Sequence, residues 1–243
     1  MRCAFAFAFR HRSLACGHGL LGLLFGAFER GVERVLLLDA RQPVSHAALL
    51  SACASVAPWL PAKVTFLRAD VRRLPGGAEG ALAAGGAAVA PRHHRRVVGV
   101  GAGEPLIAAG GADSSATSTP ADETEVAAAL LRGMAPGAAG FVALHACGAL
   151  SDACLGVAAA AHGPVAALPC CFTGTAAGAP TALRRALGVS LAADVARVYR
   201  LEAAGFTADF VAVPAAATAM NRGIVAVPRH EAPQSAAQAD ADA

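Results

Sequence analysis

The first 70 residues contain three short apolar runs, each followed by a polar or glycine-rich break. The runs end at Cys16, at Asp39 and at Asp70. Two longer segments between them, Leu20–Arg30 and Ser45–Leu60, have the composition and spacing of helices. The runs are apolar without alternation, as strands buried on both faces of a sheet are. This order predicts a β-α-β-α-β unit with parallel strands.

The same alternation of elements returns in the second half of the chain. Further strands are predicted at Gly140–Leu144, Val165–Leu168, Phe210–Val213 and Gly223–Val227. Further helices are predicted at Glu123–Met134, at Ser151–Ala161 with Ser151 as the N-cap, and at Ala192–Ala204. Together these elements predict an α/β fold: a Rossmann-like, doubly wound, seven-stranded sheet that is mostly parallel and has an antiparallel last strand.

Two segments lack this regularity, and they set the predicted domain boundaries. Residues 75–125 are rich in glycine and alanine, and we expect a loose insertion there with one short strand at residues 95–101. Residues 229–243 show no periodicity, which predicts a disordered tail. The remaining chain, within residues 1–228, is predicted to form one domain.

Composition narrows the class of protein further. Hydrophobic residues make up 56% of the 243 residues, which excludes a wholly disordered chain. We find no uninterrupted apolar stretch of roughly 18 residues, so we expect no membrane-spanning segment. The formal net charge of +3 is mild, so a phosphate-bearing partner such as RNA is allowed but not required.

The cysteines and the N-terminal residues indicate in which cellular compartment the protein is expected. The seven cysteines include no Cys-x-x-Cys pair, which favours reduced thiols over a disulfide framework in a chain of this length. We therefore expect an intracellular protein, cytoplasmic or organellar. The first 12 residues carry arginines and no acids, faintly like a transit peptide. We expect either a first strand here or a true start further upstream.

A glycine-rich turn is the sharpest local signal. Gly17, Gly19 and Gly22 lie between a predicted strand and a predicted helix, where glycines allow a tight turn and close approach of a ligand. Asp39 comes 20 residues after Gly19, at the end of the second strand, where a carboxylate can accept ribose hydroxyls. Asp70 ends the third run, within reach of an adenine edge. The pattern predicts a nucleoside-containing ligand, and a simple glycine-rich connection is the alternative.

A dinucleotide fits the same glycine spacing. NAD(P)-dependent oxidoreduction therefore stays a further alternative. One common type of reductase uses a Tyr-x-x-x-Lys pair, but Tyr199 and Lys63 are the only tyrosine and lysine in the chain. Their separation disfavours that chemistry.

At these residues the chain resembles the class I S-adenosylmethionine-dependent methyltransferases. It is most similar to the branch that includes a tRNA 2′-O-methyltransferase and a glutathione-transferase-C-terminal-domain-containing protein. The similar segments cover the glycine turn, the two acids, a His-x-Cys-Gly block, a Pro-Cys-Cys block and the C-terminal elements: Leu14–Gly22, Leu36–Asp39, Ala69-Asp70, Ala143–Gly148 with Ser151-Asp152, Leu168–Cys171, Val198–Gly205, Met220–Arg222 and Ile224–Ala226.

The resemblance implies an enzyme that binds S-adenosylmethionine and transfers its methyl group. It implies that the cofactor is held by the glycine turn, the two acids and one histidine: Ala15, Cys16, Gly17, Gly19, Asp39, Asp70 and His145. It implies catalytic or acceptor-facing roles for His145, Cys147, Cys170 and Cys171. The family carries an acid where this chain has Ser13, which motivates the alternative of a non-catalytic, methyltransferase-like binding module with an unknown protein partner.

Three interpretations of the cysteine and histidine residues stay open. They line the pocket as small packed residues, or His145 acts as a base or orients the acceptor, or His145 and the three cysteines hold zinc. Adjacent cysteines rarely chelate one tetrahedral ion well, so we expect no metal here.

The methyl acceptor is unknown from the sequence, and both RNA and a small molecule remain open. We predict that it lies against His145–Gly148 and Pro169–Phe172, because strand ends position a ligand better than a glycine-flanked loop does. Several arginines could form a phosphate-tracking patch, or else lie solvated in loops: Arg68, Arg72, Arg73 and the basic run 92–96.

Overall fold

A computed structural model describes residues 9–78, 119–172, 178–216, 218 and 220–229. It contains seven strands: β1 Phe9–Leu14, β2 Val32–Asp39, β3 Val64–Arg68, β4 Ala139–Leu144, β5 Val165–Leu168, β6 Phe206–Ala212 and β7 Arg222–Pro228. It contains six α-helices: α1 Leu20–Phe28, α2 Ser45–Val56, α3 Leu60–Lys63, α4 Pro120–Arg132, α5 Ala149–Ala160 and α6 Thr181–Ala203.

All seven strands form one sheet in the order β3-β2-β1-β4-β5-β7-β6. The first five strands are parallel, and β7 is antiparallel to both of its neighbours, β5 and β6. This confirms the predicted α/β sheet with an antiparallel last strand. The chain changes direction of winding at β1, since β2 lies on one side of it and β4 on the other. In such sheets ligands bind outside the carboxyl ends of the strands near this switch point.

The sheet is covered by helices on both faces because its central strands are apolar on both sides. Val35 and Leu37 of β2 pack in a cluster with Leu23 of α1. Leu36 and Leu38 of the same strand belong to a second cluster, which includes residues of α4 and α5. Successive side chains of one strand thus reach opposite hydrophobic layers, as the continuous apolar run predicts.

Some element boundaries differ from the prediction, and local chemistry explains them. The predicted helix to Leu60 is two helices, because α2 ends at Val56 and the short α3 starts with Pro61 in its first turn. Ser151 is not the N-cap of α5, which is Gly148. The Ser151 hydroxyl is buried inside the first turn and donates to the carbonyl of Ala146.

Two helices begin earlier than predicted. α6 starts at Thr181 instead of Ala192, and Gly188, with φ of 76°, interrupts its helical geometry. α4 starts at Pro120, within the range assigned to the insertion, because Thr119 and Asp122 form a capping box. The short strand predicted at 95–101, most of the insertion and nearly all of the tail lie outside the described residues. None of the described helices has the length and apolar character that a membrane crossing needs.

Candidate functional site

The glycine turn follows β1 directly and is held in shape by its own backbone. Gly17 and Gly19 have φ of 54° and 81°, the left-handed region that favours glycine. The Gly19 amide donates to the carbonyl of Cys16 at 2.9 Å, and the Cys16 amide donates to Leu38 of the neighbouring strand at 3.1 Å. The turn is therefore fixed to the end of β2 before any ligand binds.

Asp39 is joined to this turn by a hydrogen bond. The amide of Gly17 donates to Asp39 Oδ2 at 2.8 Å, and the amide of Arg41 donates to Oδ1 at 3.1 Å. An ionised carboxylate offers about four acceptor positions, so both oxygens keep capacity for a further donor. The predicted pairing of the glycine turn with the acid at the end of β2 is present as a direct contact.

The three glycines of the motif have different surroundings. A Cβ at Gly19 would lie 2.6 Å from Leu37 Cδ1, and one at Gly22 would lie 2.4 Å from Leu37 Cδ2. These two glycines let α1 pack closely on β2, which is a structural role. A Cβ at Gly17 would meet no atom within 4 Å. Of the three, Gly17 is therefore the one that faces space for a ligand.

Two histidines attach the start of α2 to the turn. The ring of His18 forms a hydrogen bond with the hydroxyl of Ser45, and His46 Nδ1 donates to the carbonyl of His18 at 3.0 Å. His46 is buried and also packs against the ring of Phe66, 4.8 Å between centroids. Both histidines thus brace the turn.

The Cys16 thiol is held in its protonated form at neutral pH. Burial, together with the nearby charge of Asp39, raises the pKa of the Cys16 thiol to about 12. A protonated thiol is a poor nucleophile. Cys16 therefore contributes shape and its backbone groups to the turn.

Asp70 lies two residues beyond the end of β3 and is already engaged. Its side chain caps a single 3₁₀ turn, Val71–Arg73, by accepting from the Arg72 amide at 3.0 Å, and it also pairs with the Arg72 guanidinium at 3.1 Å. Burial raises the pKa of Asp70, but the hydrogen bonds and charge of Arg72 outweigh it and leave the pKa below its usual value. Any ligand contact of this carboxylate is made in its ionised form.

The second edge is built by the loops after β4 and β5. The amide of His145 donates to the carbonyl of Leu168 at 3.1 Å, and the amide of Gly148 donates to the carbonyl of Cys171 at 2.9 Å. These bonds bring the His-x-Cys-Gly and Pro-Cys-Cys blocks side by side, as predicted for neighbouring parallel strands. His145 is exposed and has φ of 57°, which is uncommon for a residue with a side chain.

The three cysteines of these loops form one sulfur cluster. Cys147 Sγ lies 2.9 Å from Cys170 Sγ, and Cys170 Sγ lies 3.6 Å from Cys171 Sγ. Burial and hydrogen bonds with the two neighbouring thiols raise the pKa of Cys170 to about 12. His145 is not part of this cluster of sulfur atoms. Of the four residues considered as zinc ligands from the sequence, the structure therefore groups the three cysteines and leaves His145 apart.

A buried ionic network supports this edge, and the sequence did not predict it. Arg197, 1% exposed, donates to Asp152 at 2.9 Å, to Asp194 at 3.0 Å and to the carbonyl of Gly148 at 3.0 Å. Asp194 also accepts from Arg222 at 2.7 Å. The network ties α5, α6 and β7 to the loop after β4. The available signal was an acid and an arginine three residues apart inside an alanine-rich helix.

The remaining predicted residues lie apart from these two groups. Arg68 is paired with Glu123 of α4, with Nε 2.8 Å from Oε1, and Arg72 is paired with Asp70. The basic run 92–96 is outside the described residues, so the predicted phosphate-tracking patch stays a prediction. Ser13 is buried within β1.

Comparisons with known proteins found no match: no family model, no curated protein and no solved structure matches the chain. The two parts of the candidate site lie at the carboxyl ends of strands on either side of the switch point. The glycine turn with Asp39 is at β1 and β2, and the sulfur-rich edge is at β4 and β5.

Proposed function

We propose that the chain is a methyltransferase that binds S-adenosylmethionine at the glycine turn. The observation that carries this proposal is the 2.8 Å hydrogen bond between the Gly17 amide and Asp39. It places an acceptor for ribose hydroxyls directly beside the glycine that faces space for a ligand. The resemblance to class I methyltransferases assigns the same two elements to the nucleoside of the cofactor.

The sheet favours this proposal over NAD(P)-dependent chemistry. Dinucleotide-binding domains have the strand order 3-2-1-4-5-6. Here an antiparallel seventh strand is inserted between β5 and β6. This difference makes the oxidoreductase the weaker candidate, although the glycine spacing fits both.

Methyl transfer from a sulfonium is an in-line displacement, so the protein chiefly has to align donor and acceptor. Alignment alone can lower a barrier by several kcal/mol. The edge at His145–Gly148 and Pro169–Phe172 provides a rigid wall for the acceptor, because backbone hydrogen bonds join its two loops. His145 is the exposed imidazole at this wall, and it takes the proton if the acceptor has to lose one. Both RNA and a small molecule fit this description.

Cofactor binding is tested by calorimetric titration of the purified chain with S-adenosylmethionine and with its demethylated product. Asp39→Ala is expected to weaken both affinities by about 1–3 kcal/mol, the cost of leaving buried hydroxyl donors without an acceptor. Asp209→Ala, an exposed acid on β6, is the matched control and should bind like the wild type.

The outcomes separate the candidate functions. No heat with either ligand for the folded wild-type chain would contradict the proposal, and heat with NAD(P) instead would favour the oxidoreductase. Weak or absent binding of S-adenosylmethionine, together with a stable protein partner in a pull-down, would favour the non-catalytic binding module.

A further inference from the structure

The sulfur cluster of Cys147, Cys170 and Cys171 keeps the three thiols of the group considered from the sequence and leaves out His145. Its members come from two loops, one after β4 and one after β5, and all three sulfur atoms lie within 4.8 Å of one another. The two loops are held together by the hydrogen bond from Gly148 to Cys171, at 2.9 Å. The cluster is therefore set by the sheet and does not depend on flexible side chains from distant segments.

The spacing of the sulfur atoms suits a single thiophilic ion. A Zn–S bond of about 2.3 Å places two sulfurs of one tetrahedral ion about 3.8 Å apart. The adjacent pair Cys170 and Cys171 is at 3.6 Å, close to this value. Cys147 and Cys170 are closer, at 2.9 Å, and Cys147 is exposed, so its side chain has room to rotate outward. The objection that adjacent cysteines chelate poorly does not apply to this pair of side chains.

The chemistry of the three side chains suits a thiophilic cation. Each thiol that binds a divalent cation gives up its proton, and the ion neutralises the thiolates that form. Exposure of Cys147 and Cys171 leaves the ion a route from solvent.

We propose that Cys147, Cys170 and Cys171 form a binding site for a thiophilic divalent cation, of which Zn²⁺ is the representative. Within the described part of the chain the group consists of these three thiols. In the proposed site an exogenous ligand such as water takes the fourth position. Three protein ligands with one exchangeable position is the arrangement of catalytic rather than structural zinc sites. This inference goes beyond the proposed methyl transfer and does not rest on it.

The test is a titration of the full chain, reduced and stripped of metal, with Co²⁺ and then Zn²⁺. We expect thiolate-to-cobalt charge-transfer absorption that saturates at one ion per chain and disappears as Zn²⁺ displaces cobalt. Cys147→Ser, Cys170→Ser and Cys171→Ser should each weaken cobalt binding by about 100-fold or more, since even outer contacts of a metal site are worth about 10–100-fold. Cys53→Ser is the matched control, because Cys53 lies on α2 outside the cluster.

Two outcomes would overturn the site. One is a reduced, folded wild-type chain that shows no charge-transfer absorption, and the other is absorption that survives all three serine variants. A chain that forms a Cys147–Cys170 disulfide in air and binds no cobalt after full reduction would assign the cluster to redox chemistry instead. The wild-type titration decides the matter even where a variant fails to fold. Calorimetry with S-adenosylmethionine is a separate measurement, so either proposal can fail alone.

Discussion

Arg197 and Arg12 are both buried, with 1% and 6% of their surfaces exposed, yet their surroundings differ. Arg197 on α6 donates to two carboxylates and to the carbonyl of Gly148. Arg12 lies in the central strand β1, where its closest described polar contact is Met134 Sδ at 3.9 Å. Within the described part of the chain, Arg12 Nε has no hydrogen-bond partner.

The difference teaches that a buried charge helps to hold a site in place only when hydrogen-bond partners are buried with it. Burial, together with Arg10 and Arg34, lowers the pKa of Arg12 to about 10, which is the signature of a charge that its surroundings disfavour. Arg197 instead connects the loop of the candidate site to α5 and α6. A paired buried arginine is costly to remove, whereas an unpaired one is costly to keep.

Arg197→Met is expected to give the largest loss of stability. The substitution leaves Asp194, 1% exposed, with Arg222 alone and removes a partner of Asp152. Breaking a buried ion pair by deleting one member costs about 3–5 kcal/mol. Urea unfolding followed by far-UV circular dichroism measures this loss.

Arg132→Ala is the control for that experiment. Arg132 is 58% exposed in its side chain and lies 3.8 Å from Glu125. An exposed pair of this kind contributes about 0–1 kcal/mol. If Arg197→Met lowered the free energy of unfolding by no more than Arg132→Ala does, the Arg197 network would not stabilise the loop after β4.

Much of the fold could be predicted from the sequence because its strands are apolar on both faces. The runs at β2 and β4 read as buried strands without any knowledge of their neighbours. Helix starts were harder, since they depend on side-chain contacts. The capping box of Thr119 and Asp122 starts α4 at Pro120, and a kink at Gly188 separates the first part of α6, from Thr181, from the predicted part. These features are local, but they leave little periodic signal.

In the candidate site, too, some contacts could be predicted from the sequence and others could not. The contact between Gly17 and Asp39 follows from spacing along the chain, because Gly17 lies in the turn after β1 and Asp39 ends the neighbouring strand β2. The network of Arg197 could not be predicted, since Arg197 reaches Gly148 and Asp152 only after α5 and α6 have packed. The convergence of the three thiols could be predicted from their positions after β4 and β5, whereas the distances between the sulfur atoms depend on the register of these two strands.

His11, beside Arg12, makes the stability of the region around β1 sensitive to pH. His11 is 1% exposed and stacks on Phe25 with 4.5 Å between ring centroids. Burial, followed by the charge of Arg12, lowers the pKa of His11 from 6.5 to about 4. The unfolded chain therefore binds a proton that the folded chain does not, so stability falls as pH drops below the unfolded pKa.

Because the pKa of His11 is 6.5 in the unfolded chain and about 4 in the folded chain, the free energy of unfolding should fall by about 2 kcal/mol between about pH 7 and about pH 5. His11→Phe keeps a ring against Phe25 and removes the titration, so the difference in free energy of unfolding between the two pH values should shrink by that amount. His162→Phe, made at an exposed histidine, is the control for the replacement of a histidine by phenylalanine. An unchanged pH dependence in His11→Phe would show that His11 is not held neutral.

Arg12→Met is expected to have the smallest effect and the opposite sign. Met keeps an unbranched apolar stem of similar length beside Met134 and removes a buried charge whose desolvation lacks compensation. The free energy of unfolding should rise by about 1–2 kcal/mol in urea unfolding at neutral pH. Arg10→Met, an exposed neighbour in the same strand, should change it by less than about 0.5 kcal/mol. Because the charge of Arg12 also depresses the pKa of His11, the Arg12→Met chain should in addition lose part of its pH dependence. A chain destabilised by Arg12→Met as strongly as by Arg197→Met would mean that the two arginines are equally well partnered, and the contrast between the two regions would be wrong.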